Sequence, residues 1–172
     1  MKGFVAGVVV GILLLPVVVF LYFRLGYAAV ATAAPPLPME RWLASMALHA
    51  RIAKEASKDS PVPADEQNLL AGAKSYREHC AVCHGAPGED RTPTAKGMFP
   101  RPPQLLSGKG VTDDPVGETY WKAANGIRLT GMPAYRGSLT DQQLWQVSQL
   151  LANADKLPAS VRANLGQAAP AH

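Results

Sequence analysis

The chain has 172 residues, 48% of them hydrophobic and 17% charged, with a formal net charge of +4. That is room for one ordinary domain plus extra segments, and it is less polar than a typical soluble domain. Residues 1–59 carry six basic and three acidic side chains, whereas residues 60–157 carry ten of each; the excess therefore suits anionic lipid headgroups and excludes a basic nucleic-acid face.

The run from Gly3 to Phe23 contains no charge and, at about 1.5 Å per residue, covers a hydrocarbon core of roughly 30 Å. It predicts a transmembrane helix. Lys2 ahead of it and the small residues from Ala29 to Ala34 also fit a cleaved secretory signal. Signal h-regions, however, are usually about 7–15 residues, and Arg24 interrupts the approach to a cleavage point. A lipid anchor through cysteine has no thiol to use, since both cysteines lie further on. Gly3, Gly7 and Gly11 form a ridge of small residues on which a partner transmembrane helix could pack.

Three prolines within "PPLP" then impose an extended spacer. A second helix is expected from Pro38 to about Ser57, with Glu40 and Lys54 placed favourably for its dipole. Trp42, Met46, Ala50 and Ala53 make one apolar face, while Leu48 and Ile52 fall on another side. An interfacial helix and a helix packed on a partner subunit both satisfy that pattern. "SPVPAD" (60–65) is a second break, giving expected segments of 1–34 (anchor and spacer), 35–63 (amphipathic helix and linker), 64–157 (main domain) and 158–172 (tail).

From Glu66 to His79 the spacing of Leu69, Leu70, Ala73 and Tyr76 predicts a helix with one buried side. Gly85 to Gly110 is rich in Gly and Pro and is expected to be loop. A helix over 112–124 bears Tyr120 and Trp121, "NGIRLTGMPAYRG" is a further loop, and a helix over 139–153 starts with the capping-box pair Thr140 and Gln143. The tail allows a short helix from Pro158 and then an unstructured end. No strand or repeat is evident, so the fold class is all-α.

"CAVCH", residues 80–84, concentrates the chemistry. Zinc needs about four ligands, and His49, His79, His84 and His172 offer no second pair at suitable spacing. A thioredoxin-like dithiol belongs at a helix start in a βαβ setting, and a disulfide leaves His84 without a role. Covalent haem uses every residue: Cys80 and Cys83 as thioether linkers and His84 as proximal iron ligand. For the opposite side, Met132 follows by 48 residues in Gly131-Met132-Pro133, where glycine permits close approach and proline stiffens the loop. Met98, only 14 residues on, is the alternative and reads better as packing. No catalytic side chain is expected.

"CAVCHG", "FPRPPQLL", "NGIRLTGMPAY" and "LTDQQLWQVSQLLAN" together resemble the single-haem cytochrome c family with His/Met ligation, over about Gln67 to Asp155. The resemblance implies one haem c in a small helical fold of class I type whose first and last helices cross. Tyr76 and Trp145 would then sit at the crossing, and Leu144 and Leu151 in the haem-facing core. A carbonyl of Pro102 or Pro103 would accept from the histidine ring, and Arg101, Trp121 and Arg128 would be candidates for the propionates. The expected function is a membrane-anchored carrier passing single electrons between respiratory or dehydrogenase partner proteins on the periplasmic side of a bacterial inner membrane, as a shuttle or a complex subunit. The alternative is a haem enzyme or gas sensor, such as a peroxidase, with an open iron position.

Overall fold

The computed structural model describes residues 1–166; the expected unstructured end of the tail lies outside the described residues. All regular structure among the described residues is helical. Contacts divide the chain into two compact units, Met1–Glu40 and Arg41 onward.

The first unit is dominated by α1 (Lys2–Arg24), which accommodates Pro16 and buries none of its residues. It is long and apolar enough to cross a membrane. At its C-terminal end Tyr22 packs edge-on to Phe23 with centroids 5.5 Å apart and stacks on Tyr27 at 6.3 Å. This aromatic cluster around Arg24 is of the kind that sits at membrane–water boundaries.

The second unit opens with α2 (Glu40–Glu55), all of which but Glu40 belongs to it and which begins after Pro38 rather than at it. Next come α3 (Glu66–His79), α4 (Ala81–His84), α5 (Pro93–Gly97), α6 (Val116–Asn125), α7 (Asp141–Ala152) and α8 (Ala159–Leu165). Asp65 caps α3 by accepting from the Asn68 N–H at 2.8 Å. The Thr140 and Gln143 box closes on α7, with both reciprocal bonds made.

Two expectations are corrected. The Gly85–Gly110 segment is not all loop, because the Thr92 hydroxyl accepts from the Ala95 N–H and Pro93 supplies the preset first turn of α5. The helix expected from residue 112 starts only at Val116. Pro115 stands at its N-cap in extended geometry, and a proline disfavours helical dihedrals in the residue before it.

α3 crosses α7, and α8 packs on α3. Leu69, Ala73 and Tyr76 of α3 join Val147, Leu150 and Leu151 of α7 and Val161 and Leu165 of α8 in the main core. The crossing is tight because Gly72 lies against the backbone of Gln146, where a Cβ would overlap the carbonyl. Gln146 itself donates to Asn68 at 2.9 Å, so the polar side of the crossing is satisfied too. α7 also faces a second cluster of Ala124, Leu139 and Leu144, with Tyr120, Ala123 and Tyr135 around it. Trp145 stacks on Tyr120 of α6 with centroids 4.0 Å apart, so its ring serves the α6–α7 contact, while Tyr76 is the aromatic residue of the α3–α7 core.

Candidate functional site

α3 ends at Cys80, whose N–H still bonds the Tyr76 carbonyl at 2.8 Å, and the chain winds at once into the single turn of α4. The N–H groups of Cys83 and His84 both return to the Cys80 carbonyl, and Gly85 stops the turn with φ +79. A side chain at that φ would be strained. Within four residues the turn thus presents two thiols and an imidazole.

Three hydroxyls from separate parts of the fold pin this turn. Tyr76 donates to the Gly85 carbonyl at 2.7 Å from a fully buried position. Thr92, the cap of α5, donates to the Val82 carbonyl at 2.7 Å, and Tyr135 donates to the His79 carbonyl at 2.7 Å. His84 is held from its other side, with Nδ1 2.7 Å from the Pro103 carbonyl. In that pairing Nδ1 carries the proton and Nε2 keeps its lone pair for a metal. Of the two prolines named from the sequence it is therefore Pro103 that accepts. The Pro102 carbonyl is taken by the Arg91 guanidinium at 2.5 Å. Arg91 was invisible to pattern reading, because its role depends on a fold that brings residues 91 and 102 together.

Burial lowers the basicity of His84, opposed by the bond to Pro103. Burial, with repulsion from Cys83 added, pushes the Cys80 thiol up to about 12. Both cysteines are half-buried and unpaired. A thiol so reluctant to ionise is a poor partner for disulfide exchange, which proceeds through a thiolate. Among the described residues no three His, Cys, Asp or Glu side chains gather where they could hold a metal ion.

Met132 is half-buried in the loop that leaves α6. Its N–H bonds the Thr130 hydroxyl at 3.1 Å and its carbonyl accepts from the Ile127 N–H at 3.2 Å. Further on, the Tyr135 and Arg136 N–H groups return to the Ala123 and Ala124 carbonyls of α6. The loop is therefore closed on itself, and Tyr135, three residues past Met132, ties it to the residue before Cys80. Met98 also belongs to this neighbourhood: its terminal methyl occupies the place that a Cβ on Gly131 would take. Trp121 donates to Glu55 of α2 at 3.0 Å, a commitment that the propionate expectation did not foresee. Arg101 and Arg128 are exposed. Leu144 and Leu151 are both buried, but in the two different clusters that α7 serves.

Residues 69–155, just over half of the chain, match the family model described as cytochrome c. No curated protein matches the chain. Among solved structures, a chain titled as part of the Kuenenia stuttgartiensis reducing HAO-like protein complex aligns at 25% identity with a TM-score of 0.49. The alignment covers 58% of this chain and 49% of that one, so this protein spans about half of its length. The family match extends from the first core residue of α3 to just past the end of α7, with CAVCH inside it. The chain belongs to the cytochrome c family, and its cofactor is covalently attached haem c.

Proposed function

We propose that this protein is a single-electron carrier with one haem, tethered to a bacterial inner membrane with its haem domain on the periplasmic side. The residues present fit that group. Cys80 and Cys83 would form the two thioethers, His84 would ligate through Nε2, and Met132 would supply the opposite thioether ligand. Bound in this way, haem supplies one-electron exchange at a site with no vacant position for substrate. Tyr76, Thr92 and Tyr135 hold the attachment turn rigid through its carbonyls, and Pro103 fixes the ring orientation and proton position of His84. α1 supports the tether through its length and apolar composition, which a signal sequence would share. Its donors and acceptors would be redox proteins of a respiratory or dehydrogenase chain, met as a shuttle or within a complex.

The observation that carries this reading is the Tyr135 bond to His79, which joins the Met132 loop to the CAVCH turn. Met132→Ala and Met98→Ala distinguish the ligand sets. In Met132→Ala the weak far-red band of thioether-ligated ferric haem should vanish and the midpoint potential should fall by on the order of 0.1 V, whereas Met98→Ala should keep the band. Absence of the band from the wild type itself, with rapid carbon monoxide binding by its reduced form, would instead establish an open iron position. The intact mass of the protein extracted from native membranes tests the tether, which requires residues 1–34 to be retained.

A further inference from the structure

α2 has two opposed sides with different fates. One side is fastened to the rest of its unit: the Arg41 guanidinium lies over the Phe99 ring 5.4 Å from its centroid, Ile52 is 2% exposed, and Glu55 accepts from Trp121. Just beyond the helix, the Ser57 carbonyl fills the space where Gly117 lacks a side chain. The other side is bare. Trp42, Leu43 and Met46 are 56%, 49% and 49% exposed, and Ala50 and Ala53 extend the same face.

We propose that this bare face of α2 lies on the surface of an anionic lipid bilayer and so fixes which side of the haem domain faces the membrane. Charge favours lipid as the occupant. Lys54 stands at the border of the face at helical spacing, and Lys58 follows the helix. Both acids of α2 are engaged elsewhere: Glu40 accepts from the Leu37 N–H, and Glu55 pairs with Arg51 at 2.6 Å besides holding Trp121. A face with an aromatic residue, aliphatic neighbours and a cationic border is suited to the headgroup boundary. Reach favours it as well, in which respect the proposal rests on the retained membrane span. Only residues 25–39 separate α1 from α2, a tether of at most about 55 Å.

The test uses the full-length, haem-loaded protein in nanodiscs of phosphatidylethanolamine and phosphatidylglycerol. Both native cysteines are held as thioethers, so single spin labels can be placed through Met46→Cys on the bare face, Ala44→Cys on another side and Val9→Cys in α1. At position 46 collisions with oxygen should exceed those with a water-soluble nickel chelate several-fold, the order should reverse at 44, and the preference at 46 should fall when phosphatidylglycerol is omitted. A label at 46 as open to nickel as that at 44 would overturn the proposal. So would one shielded from both reagents, which would mean that a protein covers the face. The label at Val9 reads the span separately, so an aqueous Val9 condemns the anchor while position 46 still decides the fate of α2.

Discussion

Tyr76 and Tyr135 hold the two ends of the attachment turn with phenolic protons, and those protons set an alkaline limit on the fold. Burial raises both phenols; Tyr135 is pushed up to about 12, with the charges of Cys80 and Cys83 adding to burial. With Cys80 and Cys83 bound as the proposed thioethers, the cysteine contribution would be removed and burial would remain. An unfolded tyrosine ionises near pH ~10, whereas the folded ones keep their protons. Their contribution is therefore fully present below that value and declines as pH rises through 10 towards 12. Guanidinium unfolding followed by far-UV circular dichroism should show stability holding up to about pH 10 and falling from there towards pH 12, the interval between the unfolded and folded tyrosine values. Tyr135→Phe should cost about 1 kcal/mol near neutrality through the lost bond and flatten the alkaline decline. At this scale the buried helical position of Tyr76 and the gathering of Cys80, Cys83 and His84 on one turn were legible, because residue types and spacing carry that information. The hydroxyl partners were not, since His79 and Tyr135 are 56 residues apart.

Among elements, the α3–α7 crossing depends on a missing side chain. Alanine at Gly72 would gain about 1 kcal/mol of helix propensity, but its Cβ would meet the Gln146 backbone, which has no rotamer to escape through. Overpacking of that kind costs about 1–3 kcal/mol and should win. Gly72→Ala is expected to lower the guanidinium midpoint of the haem-loaded protein without changing the slope of the transition; an unchanged midpoint would mean that the helices can slide apart at no cost. Helices α3 and α7 were predicted almost to the residue, because apolar periodicity follows the break over 60–65 in one and coincides with the Thr140 capping box in the other; the Asp65 cap of α3 emerged only from the structure. The starts of α5 and α6 were missed where proline had to be read as an initiator, at Pro93 and just before Val116.

For the whole molecule, the decisive join within the second unit is the seat of Ser57 on Gly117 together with the Glu55–Trp121 bond. Gly117→Ala should displace the end of α2 while leaving the core of α3, α7 and α8 intact. The expected readout is faster tryptic cleavage after Lys54 and Lys58, with the haem absorption spectrum preserved. Equal cleavage rates in variant and wild type would show that α2 is held by other contacts. The sequence by itself determined the local patterns: an apolar helix long enough to span a membrane, a CAVCH turn that ends a helix, and a methionine flanked by glycine and proline in a loop, all features whose physics needs only near neighbours. Tertiary structure alone decided which carbonyl steadies His84, which hydroxyls lock the turn, where Met98 packs and which side of α2 stays bare. Those outcomes are distances between residues far apart in the chain, set by how glycine-lined helices come together, and no local spacing encodes them.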